Sequence, residues 1–262
     1  MDQAQANMLF GAFLGFLFPR PTNGPPPNLL GRWGYRMFEG DQDIDIATEL
    51  NAIIPGQELK LSQMVFQTDM ITGQACRDFY KTPKYKADLA IEVLRTRVKL
   101  DSGLGQKMMD LCRAREQSPD PRDLWIPKYV TCVAGALLMR AGAKISDADK
   151  QYIRDCVPGI NCNYGFTIPP KDLGFRSPGK LQLLAALDNY VPGTPRKFDV
   201  PSCFSCGKIE ADTGRDLRKC THCRRAWYCD RECQRKDRKK HRAICQSAEE
   251  LKKSKGFISL NV

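Results

Sequence analysis

The sequence predicts a mainly α-helical protein that ends in a small cysteine-rich module. Apolar residues recur at helical spacing through most of residues 29–190. No regular alternation of apolar and polar residues is found there, so we expect no large sheet. Seven of the 12 cysteines and both histidines fall within residues 203–245. This clustering marks residues 203–245 as a separate module.

The helical pattern is supported by residues that suit helix ends. Pro127 fits a first turn, and Gly142 stands where a left-handed stop is expected. Ser146 to Asp149 resemble a capping box. The predicted helices cover residues 41–51, 86–98, 105–115 and 127–140, a segment from 146 toward 156, and one that starts at Ser177 and Pro178.

Compositional shifts divide the chain into five parts. An apolar run at residues 8–18 has the length of a signal-peptide core, but no Lys or Arg precedes it and no cleavage-like site follows. We interpret it as a segment that docks on the domain, a membrane or a partner. No apolar run reaches the ~18 residues of a transmembrane helix. The predicted parts are an apolar segment and proline-rich linker (1–28), a helical domain (29–190), a linker (191–202), the cysteine-rich module (203–245) and a charged tail (246–262).

The cysteines of the module have the spacing of metal ligands. Two CxxC pairs are followed by two further pairs, and in each of these the two residues lie four positions apart. This spacing favours metal binding over disulfide formation. Eight ligands suit two tetrahedral zinc ions, and zinc-bound thiolates indicate a reducing compartment such as the nucleus or cytoplasm. The eight candidate ligands are Cys203, Cys206, Cys220, Cys223, Cys229, Cys233, His241 and Cys245.

Distances along the chain constrain which ligands share an ion. On a helix, the members of the pairs Cys229/Cys233 and His241/Cys245 would lie on one face, one turn apart. Cys233 and His241 are separated by about 12 Å along a continuous helix, whereas the ligands of one zinc lie within about 4 Å. The two pairs therefore serve different ions. Spacing alone does not say which CxxC pair joins which.

The module resembles the MYND zinc finger at all eight ligand positions, and the text WYCDRECQRKDRKKHRAIC (227–245) is specific. The resemblance implies an interleaved arrangement and leaves His222 as a surface residue, with Trp227 and Tyr228 as local packing residues. It assigns Cys203, Cys206, Cys229 and Cys233 to one zinc and Cys220, Cys223, His241 and Cys245 to the other.

The resemblance also implies a function in protein–protein interaction, often with short proline-containing peptides of PxLxP-like pattern. A Gln beside the sixth ligand and a nearby Trp help to form the family's peptide surface. Here Gln234 is retained, and Arg238 stands at the Trp position. Gln234 and Arg238 are therefore the candidate partner-binding residues. An acidic or extended partner becomes possible.

The net charge of +11 raises the alternative of nucleic-acid binding. Residues 203–245 hold 13 Lys and Arg against six Asp and Glu, but seven zinc-bound thiolates would offset much of this excess. The basic run at 235–242 is interpreted as a solvated helix face, and direct DNA binding through it is kept as the alternative.

The sequence argues against an enzyme. Residues 1–202 contain no histidine, and no phosphate-binding loop, GxGxxG or GxSxG motif is present. The Asn-His motif of SET-domain methyltransferases is also missing. The helical region also shows a fainter resemblance to filamentous-fungal proteins that end in a MYND finger. Segments that carry it include GRWGYRMFEGDQDIDIATEL and LLMRAGAKI. We expect a regulatory adaptor, associated with transcription or a ubiquitin ligase.

Overall fold

The computed structural model describes residues 36–39, 41–52, 59–65, 82–121, 123, 125–163, 174–176, 178–247 and 249–250. The apolar run at 8–18 and the proline-rich stretch at 19–28 lie outside the described residues. Within the described part, no helix combines the length and apolar character needed to cross a membrane.

The described residues are mainly helical, which confirms the predicted fold class. The helices are α1 (Asp41–Ala52), α2 (Pro83–Lys99), α3 (Gly105–Gln117), α4 (Pro127–Ala141), α5 (Asp147–Cys156), α6 (Gly179–Asn189), the short α7 (Glu210–Thr213) and α8 (Arg231–Arg242). The strands are β1 (Cys162–Asn163) with its parallel partner β2 (Phe175–Arg176), and β3 (Arg218–Lys219) with its antiparallel partner β4 (Trp227–Tyr228).

The helix ends follow local sequence signals. Pro127 is the first residue of α4, and Gly142 ends this helix with φ 76°, a left-handed conformation that suits glycine. The Ser146 hydroxyl accepts a hydrogen bond of 3.0 Å from the Asp149 N–H and caps α5. Helix α2 begins three residues before its predicted start, because Thr82 caps it and Pro83 occupies its first turn.

Helix α4 forms the centre of the helical core. It contacts α1, α2, α3, α5 and α6, and nearly all of its side chains are buried. Side chains such as Val133, Leu137 and Leu138 are at most 1% exposed. Burying each of them stabilises the fold by about 1.5–3 kcal/mol. This all-round burial explains why the middle of α4 is apolar without periodicity.

Buried polar groups tie distant parts of the helical domain together. The Tyr129 hydroxyl donates a hydrogen bond of 2.7 Å to the Asp43 carboxylate, which joins α4 to α1. The Gln182 side chain accepts from the Met37 N–H at 3.0 Å and donates to the Phe198 carbonyl at 3.0 Å. The side chains of Asp43, Tyr129 and Gln182 are thereby paired, as buried polar groups in a stable core require.

The segment predicted as a linker packs between the helical domain and the module. Residues 191–202 form no helix or strand, but the Phe198 ring is fully buried against Phe38, with ring centroids 5.2 Å apart. The Arg196 N–H donates to the Met139 carbonyl at 2.8 Å, and the Arg196 side chain makes a two-pronged ion pair with Asp212 of α7. These contacts fix the module against the helical domain. The predicted domain limits themselves stay a prediction.

One glycine allows a closer approach at the same junction. Gly207 has φ 76°, and a Cβ atom built there would lie 1.9 Å from the carbonyl oxygen of Leu181 in α6. Only a residue without a side chain fits against this backbone. The turn after the first CxxC pair therefore rests directly on the helical domain.

Candidate metal centre

Short turns and one hairpin position the ligands of the module. The turn after Cys203 is closed by the Gly207 N–H, which donates to the Cys203 carbonyl at 2.8 Å. The Arg224 N–H closes the second turn in the same way on Cys220, at 3.0 Å. Strand β3 ends directly before Cys220 and its partner β4 ends directly before Cys229, so the hairpin encloses the second CxxC pair. Each CxxC turn thus directs two thiols toward one point.

The structure brings the eight predicted ligands together in two groups of four. Within each group, the candidate ligand atoms all lie within 4.8 Å of one another. Group one is Cys203, Cys206, Cys229 and Cys233, and group two is Cys220, Cys223, His241 and Cys245. This is the interleaved pairing that the family resemblance implies and that spacing alone leaves open.

The distances within the groups suit tetrahedral zinc. The sulfurs of Cys206 and Cys229 are 3.5 Å apart, and those of Cys220 and Cys245 are 3.9 Å apart. Bonds of about 2.3 Å to a tetrahedral zinc place two sulfurs about 3.8 Å apart. In group two, the Cys223 sulfur lies 3.6 Å from Nε2 of His241, which makes Nε2 the nitrogen directed at the ion. Both donor sets therefore fit zinc.

The positions of Cys229 and Cys245 differ from the helical prediction. Asp230 caps α8 by accepting a hydrogen bond of 2.8 Å from the Cys233 N–H, so Cys229 precedes the helix. Helix α8 ends at Arg242, so Cys245 follows it. Neither pair therefore lies within a single helix, and the one-face spacing that a helix would give does not apply to them. Cys233 and His241 still lie too far apart to share an ion, because α8 runs without a break between them.

Hydrogen bonds favour the thiolate form of one cysteine in each group, as the pKa values of Cys203 and Cys220 indicate. In group one, a hydrogen bond from the Cys206 thiol and further hydrogen bonds from backbone N–H groups lower the pKa of Cys203 to about 5. The same thiol pairing raises the pKa of Cys206. In group two, burial would raise the pKa of Cys220, but hydrogen bonds from backbone N–H groups and the His241 ring lower it to about 6. Such thiolates are the form that binds zinc.

An aromatic cluster supports group two from inside the module. The Tyr228 ring is 1% exposed, and its centroid lies 6.0 Å from that of His241 in an edge-to-face contact. The Tyr228 hydroxyl donates a hydrogen bond of 2.9 Å to the buried Asp237 carboxylate. Phe204 contacts both rings, at 6.3 Å from each. These contacts hold the His241 ring in place, and sequence reasoning found only the packing role of Tyr228.

The remaining predicted residues lie on the surface of the module. His222 belongs to neither group, and its side chain is 54% exposed, with Nε2 3.2 Å from the Glu250 carboxylate. Gln234 and Arg238 are both exposed on α8, four residues apart, so they are neighbours on one face of the helix. The structure thus places the candidate partner-binding residues side by side on the surface.

The fold and the two ligand groups define a small Cys/His finger built around two metal sites. The MYND finger family matches residues 203–245, the segment that holds all eight ligands. Residues 203–245 are therefore a MYND finger, a zinc-binding protein-interaction module.

Curated relatives match only part of the chain. Human Egl nine homolog 1 is 41% identical over 66 residues, which are 24% of this chain and 14% of that protein. The mouse Egl nine homolog 1 is 45% identical over 66 residues, 24% of this chain and 15% of that protein. The chain spans about one seventh of the length of these relatives, and the similarity lies in the MYND-like segment. No solved structure matches the chain significantly.

Proposed function

We propose that the protein is a zinc-dependent adaptor that acts by binding other proteins and not by catalysis. The observation that carries this proposal is the closed donor set of each metal group. Each group offers four protein ligands to one ion. No coordination position is then left for water or a substrate, which is typical of structural zinc.

Zinc would form the binding surface by folding the finger. The finger holds four elements besides its turns, of which only α8 is longer than four residues, and its apolar cluster is made largely of the ligand cysteines. Each structural zinc contributes on the order of 10 kcal/mol to folding. The ions therefore supply the stability that a core supplies elsewhere, and they hold Gln234 and Arg238 in a defined position.

The adaptor would serve a regulatory assembly, either transcriptional or associated with a ubiquitin ligase. The support for this role is the presence of the MYND finger, a protein-interaction module. Thiolate ligands also require a reducing environment, so we place the protein in the nucleus, the cytoplasm or both. The fixed junction at Arg196 and Gly207 would let the helical domain set the direction in which the finger faces.

Co-purification with matched baits tests the adaptor function. The full-length chain, a Cys206→Ser/Cys229→Ser double variant and a Cys156→Ala variant are each used as bait in nuclease-treated extract at physiological salt. Cys156 is a free thiol of the helical domain, so its variant controls for loss of a cysteine. We expect a defined protein partner with the unchanged chain and with Cys156→Ala, and its loss with the double variant. Recovery of no specific protein by the unchanged chain would contradict the proposal.

A further inference from the structure

Helix α8 carries seven Lys and Arg residues, and its arginines lie on a different part of the helix surface from its lysines. At 100° per residue, Arg231, Arg235, Arg238 and Arg242 fall on one face, because they are spaced by four, three and four residues. We call these four residues the arginine stripe. All four side chains are exposed. The stripe extends over about 16 Å of helix at 1.5 Å per residue.

The finger holds α8 by a different face of the helix. Cys233, Asp237 and His241 share that face, and Asp237 and His241 are buried. Cys233 and His241 also belong to the two metal groups. By helical geometry the stripe is centred about 130° around the helix from Asp237. The metal sites therefore fix the stripe on the solvent side of the finger.

The charge of the stripe is offset only in part within the described residues, where Arg235 interacts electrostatically with Glu232 of the same helix. None of its four arginines forms an ion pair with a described residue. Another cation of the same helix behaves differently, since Lys236 pairs with Glu232 at 2.9 Å. Four guanidinium groups thus lie in a row without a direct ion pair to a described residue, and such a row attracts an anionic partner.

We propose that the arginine stripe binds an acidic peptide segment of the partner protein, an inference that rests on the proposed adaptor function. Guanidinium groups bind carboxylates through paired, parallel hydrogen bonds. Alternate side chains of an extended peptide project from one face about 6.7 Å apart. Neighbouring arginines of the stripe are separated by about 4.5–6 Å along the helix axis, a range that long side chains bridge. An extended segment with acidic residues at alternate positions therefore matches the stripe.

The surroundings of α8 favour a peptide over nucleic acid. The helix is attached to the body of the finger through its buried face and through ligands near both of its ends, so only a part of its circumference is free. The major groove is about 12 Å wide and about 8.5 Å deep, so a helix that enters it contacts bases and phosphates over more of its circumference than a single row of side chains. A peptide needs only the row of arginines itself.

Fluorescence anisotropy with the zinc-loaded full chain tests the stripe. The probe is a labelled eight-residue peptide that alternates Glu and Thr, with a Gln-for-Glu peptide and a labelled DNA duplex as comparisons. We expect Arg235→Gln/Arg238→Gln to weaken binding of the acidic peptide about tenfold, since two exposed charge pairs contribute about three- to fourfold each. The matched variant Lys236→Gln/Lys240→Gln removes the same charge from the same helix outside the stripe. It should change the affinity less than about twofold.

The outcomes separate this proposal from the adaptor function. A second pair, Arg231→Gln/Arg242→Gln, repeats the test if the first variant loses zinc. Equal losses in the arginine and lysine variants, no preference for Glu over Gln, or tighter stripe-dependent binding of DNA would each overturn the proposal. If the arginine variants bind the co-purified partner as well as the unchanged chain does, the proposed role of the arginine stripe is wrong, while the adaptor function stands. If no protein partner exists at all, the adaptor function itself fails.

Discussion

Replacing Gly207 with alanine tests how tightly the finger is joined to the helical domain. Two costs add at this position. The left-handed conformation at φ 76° costs a residue with a side chain about 1–2 kcal/mol of stability. The new Cβ would also lie 1.9 Å from the Leu181 carbonyl oxygen and 2.6 Å from the Gln182 nitrogen, where ordinary contact begins at 3.4 Å. Because both atoms are backbone, overpacking adds about 2–3 kcal/mol. We expect a total loss of about 3–5 kcal/mol.

Gly214→Ala is the matched control for this substitution. Gly214 also has a positive φ, 63°, but nothing lies within 4 Å of a Cβ atom built there. Only the conformational cost of about 1–2 kcal/mol then applies. Urea unfolding in excess zinc, followed by fluorescence and by zinc content, compares the midpoints of the two variants with that of the unchanged chain. Equal destabilisation by Gly207→Ala and Gly214→Ala would refute the close approach between the finger and α6.

Three further predictions concern charge, thiols and acid. Asp212→Asn leaves the buried Arg196 without its counter-charge and should lower the free energy of unfolding in urea by about 3 kcal/mol. The control Asp216→Asn changes an exposed residue and should lower it by about 0.5 kcal/mol or less. Similar losses in both variants would contradict the buried ion pair. Burial raises the pKa of Cys112 and of Cys156 to about 12, so few of these thiols are ionised near neutral pH. Iodoacetamide should leave both unmodified in the folded chain, as mass spectrometry would show, and rapid labelling would count against their burial. Because thiols lose protons when they bind zinc, acidification from about pH 7 to about pH 4 should release both ions to a chromogenic chelator, and full retention would contradict thiolate ligation.

Helix ends were predictable because the interactions that define them are local. The glycine stop at Gly142 and the serine cap at Ser146 depend on neighbours within four residues, and both are found in the structure. Apolar periodicity predicts a start at residue 86 for α2, but the Thr82-Pro83 cap signal, which is visible in the sequence, starts the helix at Pro83. Periodicity alone locates a helix less accurately than its caps do.

The grouping of the ligands needed more than spacing. The two CxxC pairs are equivalent locally, so the residues left their assignment open, and the MYND resemblance implied the interleaved pairing that the structure shows. The cap at Asp230 keeps Cys229 outside α8, and the spacing of the cysteines contains no information on this cap. A ligand pair four residues apart can therefore share a metal without sharing a helix.

The junction between the helical domain and the finger could not be predicted. Prolines and a glycine in residues 191–202 indicated a linker. In the structure, Arg196 pairs with Asp212 and Gly207 lies against Leu181. No sequence motif or periodicity links the two residues of either contact. Such contacts depend on how complete elements pack, which is information that propensities do not contain.

Native mass spectrometry of the purified full chain, before and after chelation, tests the central claim that two closed zinc sites build the finger. The account predicts two zinc ions per chain in the native protein. It also predicts that a chelator removes both, with the loss of α8 helicity and new reactivity of the seven finger cysteines toward alkylation. One zinc ion or none, or cysteines that stay protected after chelation, would contradict the two four-ligand groups and the adaptor function that rests on them.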